Sequence, residues 1–380
     1  MLDFNRSSLV GRELDYVFQS IQFGQIAGDR KFSRDCEALM QQIFGGNTTV
    51  KITTSCTHAL EMTGLLLNLK AGDEVIVPSF TFVSSASAFA LRGATIKFAD
   101  IRDDTLNIDE RKLEKLITPR TKAIVVVHYA GVSCEMDSIL DITSGQGIEV
   151  IEDNAHGLFG KYKGRLLGTF GRFATQSFHE TKNVTCGEGG ALVLNELSDV
   201  RLAEIIRDKG TNRAEFFRGE VNKYGWKELG SSYVMSDVLA AFLFGQLSAW
   251  EAIQTRRQEI WETYERELTP WAIENNVKTP YVPDYCDQAY HMFYLRFPNQ
   301  SNRDAFIAHL KERKIHAVFH YLPLHSSEYS KRMGWDNEDC PVTNQVSDTL
   351  VRLPFFHSMT ELELAQVIDS VRSFQVNGRR

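Results

Sequence analysis

No stretch of this sequence is apolar for anything like the roughly 20 residues that a membrane-crossing helix requires. The pure apolar run Ala123–Val127 has only the length of a buried strand. The first residues, Met1 to Tyr16, lack the basic-then-apolar layout of a secretory leader. Cysteine is sparse: six residues (Cys36, Cys56, Cys134, Cys186, Cys286, Cys340) form no Cys-x-x-Cys pair and no zinc-type spacing. That excludes a zinc module and reads as reduced thiols. There is no dense run of Lys or Arg, and the net charge is −7, which argues against nucleic acid or an anionic membrane as partner. Internal repeats and low-complexity linkers are missing too. The absences predict a cytoplasmic protein with no metal, no membrane and no nucleic-acid partner.

What is present is the composition of a globular protein, 43% hydrophobic and 24% charged over 380 residues. That length exceeds one ordinary core and suits a large domain, residues 1–250, followed by a smaller one, residues 251–380. From residue 50 onward, short apolar runs alternate with helical patterns. Val50–Thr53, Glu74–Val77, Thr95–Phe98, Ala123–Val127, Glu149–Ile151, Phe173–Phe178 and Ala191–Leu194 read as strands. Helices are expected at His58–Leu69, Val83–Ala90, Glu110–Ile117 and Met136–Thr143. Strands that are apolar throughout, separated by helices, predict an α/β fold with a mainly parallel sheet covered on both faces. A long helical stretch, Ser236–Leu268, ends at Thr269-Pro270. Beyond it the strands Phe293–Phe297 and His316–His320 and the helices Arg303–Lys314 and Glu361–Ser373 give a small α+β domain.

In open α/β sheets ligands bind beyond the carboxyl ends of the strands. Asp153 stands at such an end, in Glu152-Asp153-Asn154-Ala155-His156. A carboxylate there can hold a pyridinium N–H and keep that ring an electron sink, or it can serve as a simple helix cap. Lys182 tips the balance. It lies in Ser177-Phe178-His179-Glu180-Thr181-Lys182-Asn183, after a strand and before the turn Gly187–Gly190, where its amine can bond to a cofactor aldehyde and then act as base. A third segment, Thr53-Thr54-Ser55-Cys56-Thr57-His58-Ala59-Leu60, runs from strand into helix and offers free N–H groups to a phosphate. In Pro78-Ser79-Phe80-Thr81-Phe82-Val83 an aromatic can stack on a flat ring. Together these point to pyridoxal 5'-phosphate. The turn Gly187–Gly190 is no dinucleotide loop, because no strand-turn-helix with Gly-x-Gly-x-x-Gly surrounds it.

These segments, with Gly72–Ser79, Asn107–Asp109, Thr118–Ile124, Val127–Gly131, Met235–Asp237, Tyr321–His325 and Arg352–Pro354, resemble the DegT/DnrJ/EryC1/StrS sugar-nucleotide aminotransferases over almost the whole chain. The resemblance implies the type I aminotransferase fold, with Lys182 as the cofactor lysine and Asp153 as partner of the ring nitrogen. It assigns the phosphate to Thr57, the backbone at Cys56 and His58, and the Ser177 hydroxyl. Phe82 would stack on the ring, and His156 would lie near the cofactor hydroxyl. Ser232 falls where relatives reach the phosphate of a neighbouring subunit, which implies a homodimer with shared sites. Cys56 replaces a usual Gly, Ser232 a longer Asn, and Val234 a frequent Arg. The segments Ile206–Arg213, Phe216–Gly219, Gly230–Tyr233 and Val318–Tyr321 resemble most the members that move the amino group of L-glutamate to C4 of a dTDP-4-keto-6-deoxyhexose. Those members make dTDP-4-amino-4,6-dideoxygalactose for enterobacterial common antigen. On the substrate side the candidates are Arg213, Arg218, Lys223, His320, Tyr321 and His325, with Arg207 completing a basic cluster for the pyrophosphate. Transfer to C3, a UDP- or GDP-linked sugar, and a cofactor-binding regulatory protein without turnover remain alternatives. The C3-dehydrating branch carries His in place of the lysine, and Lys182 argues against it.

Overall fold

The computed structural model describes residues 1–46 and 48–376, so the last four residues of the expected second domain lie outside it. Seven strands form the main sheet: β1 Thr49–Thr53, β2 Glu74–Pro78, β3 Thr95–Ala99, β4 Thr121–Val127, β5 Glu149–Asp153, β6 Phe173–Ser177 and β7 Gly190–Leu194. Their spatial order is β1-β7-β6-β5-β4-β2-β3. β7 runs antiparallel to both its neighbours. The other adjacent pairs are parallel. This is the mainly parallel seven-stranded sheet that the apolar runs predict.

Alternation along each strand explains why the sheet is covered twice. Val75, Val77, Ala123, Val125 and Ile151 enter one apolar core. Their neighbours Ile76, Ile124, Val126 and Val150 enter another on the opposite face. Near β1 and β7 the same alternation sends Val50, Ile52, Ala191 and Val193 into a third core, under the helices Lys31–Phe44 and Asp237–Ser248. β1 is an edge strand, and its outward N–H groups do not face water. Gln41 Oε1 accepts from Val50 N (3.3 Å) and Glu37 Oε1 from Ile52 N (3.2 Å), both from the helix that precedes the strand.

The C-terminal part has a separate core. The helices Trp250–Glu274, Gln300–Glu312 and Glu361–Arg372 close on the two-stranded ladder Tyr294–Arg296 and Leu350–Arg352. Trp261, Tyr264, Trp271, Phe293, Phe306 and Phe356 fill it, and Leu2 from the other end of the chain joins them.

Three sequence expectations change here. The expected helix Glu110–Ile117 is a 3-10 turn, Glu110–Lys115, started by Asp109 accepting from Arg111 N. The long stretch from Ser236 is two helices that break at Ala249. The second runs through Pro270 to Glu274 because Leu268, Trp271 and Ala272 bury its last turns. His316–His320 is not a strand. Only Val318 pairs there, in an isolated bridge with Arg352. The helices Glu13–Gln22 and Lys31–Phe44 precede the first element expected from the sequence.

Candidate active site

The carboxyl edge of the sheet collects the polar residues. β1 ends at Thr53, β5 at Asp153 and β6 at Ser177, and β7 begins at that same edge with Gly190, opposite both Thr53 and Ser177. Because β7 turns back, the segment between β6 and β7 hangs over this edge, and that segment carries Lys182. Burial pushes the Lys182 amine down to about 8, against the upward pull of the Asp153 charge. An amine so placed is neutral far more often than a surface lysine at physiological pH.

Asp153 is buried, and both its oxygens are engaged. Ser85 Oγ donates to Oδ2 at 2.6 Å and the Ala155 N–H to Oδ1 at 3.2 Å. Ser85 in turn meets the Thr81 hydroxyl at 2.8 Å. An ionised carboxylate offers about four acceptor positions, so it keeps capacity for one more N–H. Ser85 escapes sequence reasoning because it sits inside a run of small residues, Ser84–Ala90, that reads as packing.

The helix Cys56–Leu66 starts directly beyond β1. Ser55 caps it by accepting the His58 N–H at 3.1 Å. The first-turn N–H groups of Cys56 and Thr57 have no intrahelical acceptor and face an anion-ready N-terminus. His58 is therefore not a free phosphate donor, contrary to expectation. Its N–H serves the cap, and its ring bonds to the Thr54 hydroxyl and lies 5.1 Å from Tyr233. The Thr57 and Ser84 hydroxyls are 2.7 Å apart. Cys56 Sγ contacts the Thr175 hydroxyl at 3.4 Å, and burial, reinforced by Asp153, pushes its thiol well up. A Cβ on Gly190 would lie 2.3 Å from Cys56 N, so β7 presses its backbone against the cup. An N-terminal anion site, a buried carboxylate and a buried amine on one sheet edge suit the phosphate, ring nitrogen and aldehyde of pyridoxal phosphate.

A second wall comes from the later part of the chain. His156 stacks on His291 with centroids 4.2 Å apart, and His320 lies 6.1 Å from His156. Tyr321 Oη is 3.4 Å from His156 Nε2, and Tyr129 Oη is 3.0 Å from His320 Nδ1. Burial drives all three imidazoles well below their ordinary range, so they are neutral rings. His291 Nδ1 meets Asn183 Oδ1 at 2.8 Å, while Asn183 Nδ2 donates to Gln254 (2.9 Å) and to the Ala289 carbonyl (2.7 Å). One side chain thus ties the residue after Lys182 to three positions of the C-terminal part. Phe82 is 57% exposed, with its ring 6.4 Å from that of Tyr321, so one face is open. Ser177 is half-buried, its Oγ 3.5 Å from His179 N.

Other expected residues lie apart from this group. His325 is buried with Nδ1 on the Ser79 hydroxyl at 2.7 Å, so its ring holds a loop. His128, in the matched segment Val127–Gly131 but not a site candidate, is committed to Glu152 (2.9 Å) and to the Cys134 N–H (3.1 Å). Arg207 is not part of an anion site: its guanidinium is buried against Glu37 (2.6 Å) and Asp29. Arg213 pairs with Asp208, and Arg218 with Glu204 and Glu220, so these cations already face carboxylates; Lys223 is exposed. Ser232 is exposed and bridges Asp208. Among the described residues no cluster of His, Cys, Asp or Glu could hold a metal, and no helix is long and apolar enough to cross a membrane.

Comparison with known proteins adds independent findings. The model of the DegT/DnrJ/EryC1/StrS aminotransferase family matches residues 8–372. The spore coat polysaccharide biosynthesis protein SpsC of Bacillus subtilis is 33% identical over 373 residues, covering 96% of this chain and 95% of that protein. The aminotransferase TlmJ from Streptoalloteichus hindustanus superposes with a TM-score of 0.89 at 26% identity, over 98% of each chain. Spr1654 from Streptococcus pneumoniae, solved in its PLP form, shares the fold at a TM-score of 0.89 and 23% identity, over 98% of each chain.

Proposed function

Because the chain belongs to the DegT/DnrJ/EryC1/StrS aminotransferase family and is a pyridoxal-phosphate-dependent aminotransferase, we propose that it moves the amino group of L-glutamate to C4 of a dTDP-4-keto-6-deoxyhexose. The products are dTDP-4-amino-4,6-dideoxygalactose and 2-oxoglutarate. What carries the transfer chemistry is the placement of Lys182, on the segment that hangs over the carboxyl edge of the sheet, at the same edge as the buried Asp153 carboxylate, with burial lowering the amine. Likeness to a polysaccharide biosynthesis protein supports a sugar-nucleotide acceptor.

Pyridoxal phosphate, when bound, supplies a reactive aldehyde and a protonated ring that withdraws electrons. The chain's residues do the rest. The N–H groups of Cys56 and Thr57, with the Thr57 and Ser177 hydroxyls, would hold the phosphate. Phe82 would stack on the ring, and His156 would lie near its hydroxyl. Asp153 would keep the ring nitrogen protonated, with the Ser85 hydroxyl fixing that carboxylate. Lys182 Nζ takes the proton from the α-carbon of L-glutamate, then delivers one to sugar C4 in the second half. Its lowered pKa suits an amine that must shed and accept a proton near neutrality.

A second copy completes the site through Ser232. Support comes from a row of exposed apolar side chains, Leu14, Phe18, Ile21 and Phe23, in and just after one helix. Mixing Lys182→Ala chains with Ser232→Trp chains should recover activity that neither has alone; no recovery would refute the shared site. The acceptor is tested by incubating protein, L-glutamate and dTDP-4-keto-6-deoxyglucose and assigning the product by proton couplings at C4. An amine at C3, or reaction only with a UDP- or GDP-ketosugar, would overturn the acceptor and leave the aminotransferase intact.

A further inference from the structure

Lys182 lies at the tip of an excursion from the sheet. On the way out and back the chain pairs with itself. Glu180 N donates to the Gly187 carbonyl at 2.9 Å, and Cys186 N donates to the Phe178 carbonyl at 3.0 Å. Residues 181–185 fall beyond these rungs, so the place of the amine depends on what holds the tip from outside. Asn183 holds one flank, through His291, Gln254 and the Ala289 carbonyl. The other flank is held from the far end of the chain.

Residues 2–8 form a strap whose side chains turn alternately to two bodies, the habit of an extended chain. The even ones grip the C-terminal part. Leu2 is buried in its core and exchanges backbone hydrogen bonds with Lys314 and His316. The Phe4 ring lies 4.6 Å under the Arg352 guanidinium, and Arg6 pairs with Glu363 at 3.0 Å above the Phe356 ring. Ser8 Oγ is 3.4 Å from His357 Nδ1. The odd ones turn to the lysine segment. Asn5 Nδ2 donates to the Glu180 carbonyl at 2.9 Å, and Ser7 Oγ donates to the same oxygen at 3.3 Å. A cavity of about 20 Å³ is lined by Asn5, Ser7, Lys182, Asn183 and Arg257. It has room for about one water, so the strap sits close over the reactive lysine.

We propose that Asn5 and Ser7 are positioning residues for the Lys182 amine, and that the strap makes the reach of that amine depend on the C-terminal part to which its even residues are fastened. The inference rests on Lys182 as the cofactor lysine and deepens that reading. The Glu180 carbonyl is two residues from Lys182, and a tip without rungs of its own shifts when its outside donors are lost. Proton transfer needs the amine within hydrogen-bond reach of the reacting carbon, so a small shift slows the chemical step. Both residues act on the backbone of the lysine segment and not on a substrate, so binding is spared.

The test combines Asn5→Ala with Ser7→Ala in the full-length holoenzyme. With L-glutamate, the maximal rate of the first half-reaction should fall roughly 10-fold, while the concentration for half-maximal rate changes less than about 2-fold. Amide hydrogen exchange should quicken across residues 178–186 and stay as in wild type in the helices Lys31–Phe44 and Glu361–Arg372, with or without cofactor. Asn5→Asp keeps the shape but turns an acceptor toward the Glu180 carbonyl, and should move both readouts in the same direction. Faster exchange spread over the whole chain, or a lower thermal midpoint with an unchanged rate, would make the strap a plain strut and overturn the assignment. So would a rise in the half-maximal concentration at constant maximal rate. Borohydride fixing the cofactor to Lys182 in wild type keeps the lysine reading in place whichever way these results fall. Fixation to another lysine would overturn both.

Discussion

The two walls of the site are built on opposite principles. On one side Asp153, Ser177 and the Cys56 helix start are strand ends, or lie one turn beyond them, in a sheet whose register leaves each one position. On the other side His291, His320 and Tyr321 come from irregular segments held by ring stacking and isolated hydrogen bonds, and Arg352 closes a three-residue strand. A strand end cannot move without disturbing the core beneath it, whereas an aromatic wall can be repacked. The first wall suits chemistry that never varies, and the second suits whatever distinguishes one substrate from another.

Four substitutions sharpen that contrast, beginning with the greatest effect. Lys182→Ala removes both the covalent amine and the base, so turnover should fall by several orders of magnitude and the visible absorbance of the lysine-bound cofactor should disappear. If borohydride fixes the cofactor to another lysine in wild type, the assignment fails. Next, Asp153→Asn keeps the shape and loses the charge, with an expected drop in kcat of roughly 10²-fold, about 2.7 kcal/mol of barrier. Ser85→Ala should show a milder fall of about 10-fold in the same direction, since a hydrogen bond to a charged group contributes ~1.5–3 kcal/mol. Normal turnover in a fully loaded Asp153→Asn protein would break the distinction between the walls. The smallest effect belongs to His325→Gln. The ring is spent on Ser79, so activity should stay within about 3-fold while the thermal midpoint drops, as for a lost buried hydrogen bond of about 1 kcal/mol. A large rise in KM for the sugar nucleotide would return His325 to the substrate side.

The first wall was the legible one. Val75–Val77 and Ala123–Val127 advertise strands by being apolar and β-branched, and a polar residue just past such a run marks a sheet edge. Asp153 and Lys182 follow from that placement. His58 was misjudged because a sequence shows a helix start but not which N–H the cap consumes. Arg207 was misjudged because its partners Glu37 and Asp29 lie far away in the chain. His291 and Asn183 went unread for the same reason: the bond between them joins residues with no shared periodicity, and only the folded chain brings them to 2.8 Å. The mistaken strand at His316–His320 is of that kind too, since alternation there marks a single bridge beside Arg352.

The edge strand β1 has a consequence for the chain as it is made. Among the described residues its only sheet partner is β7, so the chain through residue 194 must be made before that pairing can form. Until then an apolar strand with open N–H groups invites pairing with another nascent chain. The helix Lys31–Phe44 is made first, and its Glu37 and Gln41 already supply acceptors for Ile52 and Val50. Those two side chains therefore cover the strand before its partner exists, and replacing Gln41 with Leu, which leaves the Glu37–Arg207 pair intact, should lower the yield of soluble protein more than it lowers the stability of the finished fold.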